Sequence, residues 1–322
     1  MKRTRLSIVI LLCLTILCSF GSAGAEDSFP SKPVNLIVGF NPGGGTDMNA
    51  RALAAAATEY LNNQPLIIVN KPGAQGLLGP KFVSTAKPDG YTLALGWGNA
   101  EFTFGQYLMK IPFDWKAFKP VIALNALTTC IAVPADSPFN SVQEIVDYAK
   151  ANPGKLKWTH TGRGSANQAN GLDFIASTGI DVTEVPNTGG AKTRNLVAGG
   201  HVDYAFFASF LALSAMDKLK ILGIAYPERD PAFPDVKTFD EMGFTIMNAF
   251  GLFGIAAPPE TPDEKVQALT AAFKKATEHK AYTKIVSSLG FIPLGWEPEK
   301  FVAAVEEQSK NYGRLAEVLK EQ

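Results

Sequence analysis

Two short stretches hold the residues best suited to grip a charged ligand. The first runs Phe40-Asn41-Pro42-Gly43-Gly44-Gly45-Thr46-Asp47, directly before an alanine-rich segment that continues to Leu61. Glycine tolerates positive φ and leaves the backbone uncovered. Thr46 or Asp47 can cap a helix that starts here. The first N–H groups of a helix have no internal acceptor, and the helix dipole favours a negative ligand by ~0.3–1 kcal/mol, up to ~2 when partly buried. Each N–H bond to a charged oxygen adds roughly 1.5–3 kcal/mol. The stretch therefore reads either as an anion cradle or as a turn that only closes a strand onto a helix. It is not a P-loop, because the G-x-x-x-x-G-K-[ST] spacing is absent. Asn187-Thr188-Gly189-Gly190-Ala191-Lys192-Thr193 imitates one but lacks the Gly-Lys pair.

The second stretch is Thr161-Gly162-Arg163-Gly164-Ser165-Ala166-Asn167-Gln168. Gly162 and Gly164 free the backbone, Ser165 can cap, and Asn167 and Gln168 bring amide donors suited to a carboxylate. Asn167 stands where G-x-G-x-x-G needs its third glycine, so a Rossmann reading is weak. The stretch also fails G-x-S-x-G, the turn that presents a hydrolase nucleophile. Ser165 reads as a cap, with an exported serine hydrolase using Ser165 and His160 as the alternative. His160, His201 and His279 share no metal-ligand spacing. No cofactor or metal is expected. Trp97, Phe102 and Phe104 follow one apolar run, and Phe206, Phe207 and Phe210 belong to another. Most should be core, with one or two walling a pocket.

Alternating elements must position these loops. Strand-like runs at Val34–Phe40, Leu66–Val69, Tyr91–Leu95, Leu156–His160, Val182–Val185, Asp203–Phe207 and Lys220–Ala225 are interleaved with helical patterns at Thr46–Leu61, Ser141–Lys150 and Ser165–Thr178. Ser141-x-x-Glu144 and Thr261-Pro262-Asp263-Glu264 have the form of capping boxes. A last amphipathic helix is expected from about Glu299 to Leu319. Strand–helix alternation implies α/β architecture with parallel sheets covered on both faces. Ligands of such sheets bind beyond the carboxyl ends of strands. The loops after Phe40, Leu95 and His160 are thus the places to look.

Lys2, Arg3 and Arg5 precede an apolar run from Leu6 to about Phe20, and Ala23-Gly24-Ala25 matches a small-x-small cleavage pattern. Residues 1–25 read as a cleavable secretory signal, too short for a comfortable membrane span. Removing three of the 30 basic residues leaves 27 against 30 acids, a balance that disfavours nucleic acid as a partner. Only Cys130 remains among the cysteines after cleavage, so no internal disulfide is available. An exported chain of about 297 residues can build cores large enough to fold without staples. Two domains are expected.

The chain resembles the substrate-binding receptors of tripartite tricarboxylate transporters, the Bug family. The resemblance is carried by 29-FPSKPVNLIVGFNPGGGTDMNAR-51, 70-NKPGAQGLLGPKFVSTAKPDGYTLALG-96, 149-AKANPGKLKWTHTGRGS-165, 199-GGHVDYAFF-207, 234-PDVKTFDEMGF-244 and 251-GLFGIAAPPETP-262, in order along nearly the whole mature length. It implies a two-domain, type II periplasmic-binding-protein fold with the ligand cleft between the domains. It also implies a first domain of residues 26–126 and 245–322 and a second of 127–244. The loops matching Phe40–Asp47 and Thr161–Gln168 would clamp a carboxylate, with Trp97, Asn99, Thr128, Thr188 and Asp203 near the pocket. Asp203 reads equally well as capping the turn after Gly199-Gly200. Departures from the family pattern fall around the cleft, at Gly39, Gln168 and Asn187–Gly190. The implied function is capture of a small organic carboxylate (mono-, di- or aromatic) by a monomer in the periplasm and its delivery to a membrane permease. A ligand-sensing module for a membrane kinase is a further alternative.

Overall fold

A computed structural model describes residues 29–108 and 110–318. The expected signal segment and the expected helix end at Leu319 lie outside the described residues. The first part of the chain comprises β1 (Val34–Val38), α1 (Gly45–Ala57), β2 (Leu66–Asn70), α2 (Leu78–Ser84), β3 (Thr92–Trp97), the short helices α3 (Ala100–Thr103) and α4 (Gly105–Leu108), and β4 (Lys119–Leu127). The middle comprises β5 (Thr129–Pro134), α5 (Val142–Ala151), β6 (Lys157–His160), α6 (Ala166–Thr178), β7 (Thr183–Glu184), α7 (Gly190–Ala198), β8 (Tyr204–Ala208) and β9 (Leu219–Ala225). The chain ends with β10 (Gly251–Ala257), α8 (Asp263–Glu278), α9 (Lys280–Ser288), β11 (Ile292–Trp296) and α10 (Pro298–Val318).

These elements form two α/β lobes. One is built on a six-stranded sheet, β11-β4-β10-β3-β1-β2, the other on a five-stranded sheet, β7-β6-β8-β5-β9. The chain passes between them at Thr128, between β4 and β5, and again in the segment before Gly251. The expectation of parallel sheets needs correction. β1 pairs in parallel with β2 and β3, but β10 runs antiparallel to both β3 and β4. β5 likewise runs antiparallel to β8 and β9. The cause is the double crossing: β5 and β10 enter their sheets from the side facing the other lobe, so each runs against its neighbours.

Strand periodicity explains the cores. Leu36 and Val38 point to the face covered by α1, α8 and α9, where they meet Leu53, Phe273 and Tyr282. Ile37 points to the other face, with Trp97, Phe118 and Phe301. Burial on both faces accounts for the continuous apolar run in β1. In the second lobe Phe206 joins Trp158, Phe174 and Phe239 on one face, while Phe207 joins Cys130 and Val197 on the other. Each such side chain contributes roughly 1.5–3 kcal/mol. Phe102, Phe104, Phe206 and Phe207 are all buried, in line with the expectation that most of the aromatic set is core.

Caps match sequence in one helix and not in another. Ser141 Oγ accepts from Glu144 N at 3.2 Å, while Glu144 reaches back to Asn140 N at 2.6 Å. The second expected capping box does not form. Pro262 occupies the cap of α8, and Thr261 instead donates to Pro258 O at 2.8 Å. The returning segment is pinned to the second lobe by a buried amide. Asn170 donates to Ala249 O at 2.6 Å and accepts from Ala249 N at 2.7 Å.

Candidate ligand-binding site

The loops after β1, β3 and β6 and the end of β8 converge on one chamber of about 190 Å³ between the sheets, contributing Phe40, Asn99, Thr161 and Ala208 to its wall. Thr128 and Thr129 enter from the crossing between β4 and β5, and Phe253 from β10. The volume suits a small metabolite; pockets for drug-sized ligands run to roughly 300–1,000 Å³.

The first helix to face the chamber is α1. It starts at Gly45, one residue earlier than expected, with Gly44 at the cap and no side chain bonding its N–H groups. Among the described residues, the N–H groups of Gly45, Thr46 and Asp47 have no acceptor, while Met48 N already bonds Gly44 O at 2.9 Å. Thr46 lines the chamber beside them. For the Asp47 side chain, the expectation of ligand contact is corrected. Its Oδ2 accepts from Gly43 N at 2.9 Å and Arg51 Nε at 2.8 Å, and its Oδ1 from Asn70 Nδ2 at 2.9 Å. These charged and polar donors, led by Arg51, hold its carboxyl down at about 2, against the opposing effect of burial. The Asp47 carboxylate therefore shapes the loop rather than meeting an anion. Gly43 takes φ +80°, the left-handed conformation that a side chain would disfavour.

The loop also rests on a support that sequence reading misses. Gly76 takes φ +92°, and a Cβ there would lie 2.5 Å from the Phe40 ring. Gly76 thus seats Phe40 at the cleft wall. Asn70 adds a bond from its amide to Phe40 O at 3.0 Å.

The second helix is α6, capped by Ser165. Its Oγ accepts from Gln168 N at 3.2 Å and donates to Gly162 O at 2.7 Å. The N–H groups of Ala166 and Asn167 have no acceptor among the described residues. Asn167 donates to Thr161 Oγ1 and accepts from Thr129 Oγ1, both at 2.8 Å, tying the loop to the crossing strand. Gln168 accepts from Gly164 N at 2.8 Å.

His160 does not meet Ser165. Its Nε2 faces Glu184 Oε1 at 2.9 Å and its Nδ1 accepts from Gly162 N at 3.1 Å. The bond from His160 lowers the Glu184 carboxyl below its ordinary range, with burial opposing. The serine–histidine pair of the hydrolase alternative is therefore not assembled, and both groups are committed to holding the loop.

The remaining candidates divide by position. Gly43 and Gly45 flank an apolar side groove with Met48, Phe210 and Phe291. Asn41 is exposed, and its carbonyl accepts from Gly44 N at 3.4 Å. Gln168 and Thr188 face a wider groove of about 750 Å³ outside the second loop, together with Arg163 and Lys192. The Thr128 hydroxyl, with that of Ser209, is spent on the buried carboxylate of Asp230. Two expected positions are corrected outright. Trp97 is core: it donates to Trp115 O at 2.8 Å and meets Phe301 edge-on. Asp203 accepts from Lys157 N at 2.6 Å, at the ends of β6 and β8 away from the chamber. Residues missed from sequence include Glu101, Thr129, Phe253 and Ala208, all on the chamber wall. Thr129, Phe253 and Ala208 reach it through chain crossings or strand ends that local pattern does not join. Among the described residues no group of three or more His, Cys, Asp or Glu is arranged to hold a metal.

The model of the tripartite tricarboxylate transporter family receptor matches residues 49–320. A UPF0065 protein of Bordetella pertussis is 32% identical over 306 residues, covering 94% of each chain. A solved TctC solute-binding protein from Polaromonas superposes with TM-score 0.78 at 30% identity, covering 89% of this chain and 99% of that one. MatC from Rhodopseudomonas palustris, solved with bound malate, gives TM-score 0.71 at 29% identity over 90% and 99% of the two chains. An R. palustris protein solved with adipate gives 0.77 at 26% identity over 90% and 97%.

Proposed function

Because this chain belongs to the tripartite tricarboxylate transporter receptor family, whose members are periplasmic solute-binding receptors and not enzymes, we propose that it captures a small organic carboxylate between its two lobes. The observation that carries the reading is the pair of helix N-termini with free backbone N–H groups, α1 from one lobe and α6 from the other, facing one chamber. Neither needs a charged side chain to hold an anion. Two such ends, each giving N–H bonds to a charged oxygen, supply the ~8 kcal/mol of a micromolar complex once ordering costs are subtracted. The malate and adipate complexes of related structures fit the same ligand class.

The receptor works as a single chain, residues 26–126 with 245–322 forming one closing domain and 127–244 the other. It is exported behind the 1–25 signal and hands its ligand to a membrane permease. Mass spectrometry of small molecules released from natively purified protein tests the reading: a carboxylic acid is expected. A co-purified ligand without a carboxyl group would contradict it.

A further inference from the structure

One charged side chain lines the chamber. Glu101 sits in the first turn of α3, beside the cap residue Asn99, and both contribute to the wall. The rest of the lining is aromatic, aliphatic, hydroxyl or amide. Among the described residues no lysine, arginine or histidine pairs with Glu101, and no protein donor bonds its side chain apart from its own backbone N–H. A carboxylate in this place opposes the two helix N-termini in sign. They attract the anionic end of a ligand, and it attracts a cationic end. We propose that Glu101 sets the specificity of this receptor: its ligand is a small aminocarboxylate whose carboxyl group lies on the helix N-termini and whose protonated amine docks on Glu101.

The proposal rests on the carboxylate reading above and assigns the other end of the same ligand. A dicarboxylate of equal length would bring its second carboxylate against Glu101, and like charges at short range disfavour ionisation of both. Burial pushes the Glu101 carboxyl up to about 6, so it is largely ionised at neutral pH and becomes neutral on mild acidification. The titratable group facing it from α10 is Tyr312, whose phenol burial keeps neutral. Tyr107 on α4 turns to Gly313 instead. The strands and loops across the chamber contribute no charged group. A protonated amine thus has one partner in the chamber.

Titration calorimetry on ligand-stripped mature protein, with the matched probes butyrate, succinate, α-aminobutyrate and γ-aminobutyrate, tests this. At least one aminobutyrate should bind about tenfold more tightly than succinate at pH 7.5. Glu101→Gln should reverse that order. Where Glu101→Gln does not fold, the wild-type preference for the aminobutyrate should shrink several-fold between pH 7.5 and pH 5 as Glu101 takes up a proton. Succinate binding as tightly as either aminobutyrate, with the order unchanged in Glu101→Gln or at pH 5, overturns the role of Glu101 and leaves the carboxylate receptor intact. Binding of none of the four, with no other carboxylate bound, overturns both.

Discussion

The carboxylate of Asp47 holds the Gly43 N–H at 2.9 Å while Arg51 closes on both its oxygens at 2.8 and 3.1 Å. An acidic residue thereby becomes the internal fastener of a loop that presents its backbone to an anion. The pairing with Arg51 offsets its charge, so the cradle behind it does not repel a carboxylate.

Removing that fastener should loosen the loop before anything else. Hydrogen bonds to a charged group are worth ~1.5–3 kcal/mol each, and the partly exposed Arg51 pair adds little. Asp47→Ala is expected to lower the unfolding free energy by about 2 kcal/mol and weaken ligand affinity, both measurable by denaturant titration and calorimetry. The carboxyl is lowered from 3.8 to about 2 on folding, so its contribution is complete above about pH 4 and lost as pH falls towards 2. Asp47→Ala should therefore erase part of the acid sensitivity seen in wild type over that window.

Ser165 is a cap, and its replacement should behave like the loss of one. Ser165→Ala is expected to cost about 1 kcal/mol of stability. The backbone N–H groups of Ala166 and Asn167 stay in place, so binding should persist with reduced affinity. Complete loss of binding in a folded Ser165→Ala protein would show that the hydroxyl itself contacts the ligand.

Gly76 controls Phe40 from below. Gly76→Ala introduces a Cβ 2.5 Å from the Phe40 ring at a backbone angle of +92°. Strain of this kind costs on the order of 1–3 kcal/mol. Affinity should fall with stability, because the ring and the cradle move together. Unchanged affinity in calorimetry would separate Phe40 from the site.

Asn170 bonds both backbone groups of Ala249 in a fully buried position. Asn170→Ala leaves that N–H and C=O unpaired, and a loss of about 2–3 kcal/mol is expected in denaturant unfolding. Because the contact joins α6 to the returning segment, the variant should also change the rate of ligand release in stopped-flow measurements.

What sequence reveals and conceals follows from locality. β1 and α1 are legible because a continuous apolar run and an alanine-rich run state their own periods. The glycine loop between them announces exposed backbone. The crossing strands are harder. β10 reads GLFGIAA, where two glycines break the strand pattern, yet Gly254 is needed because a Cβ there would lie 1.8 Å from the Phe301 ring. β11 contains Pro293 and Gly295, tolerated because it lies at the edge of its sheet. Asp47 is easily misread because its partners Gly43 and Arg51 lie at helical spacing, a pattern equally open to a ligand contact. Trp97 and Asp203 are misplaced from sequence because side-chain direction at a strand end depends on the neighbouring strands. Glu101 escapes notice because a lone acid in a first helical turn is ordinary until the opposite lobe closes a chamber over it.

The central claim is that two helix ends with free backbone N–H groups bind a carboxylate, and thermal unfolding of ligand-stripped, refolded protein tests it most directly. A panel should include mono-, di-, amino- and aromatic carboxylates, each beside its uncharged amide. At about 100 times its dissociation constant a bound ligand stabilises by ~2.7 kcal/mol. A rise of that size is expected for at least one carboxylate and none for its amide. A panel in which no carboxylate raises the melting temperature, or in which the amide raises it equally, would contradict the claim.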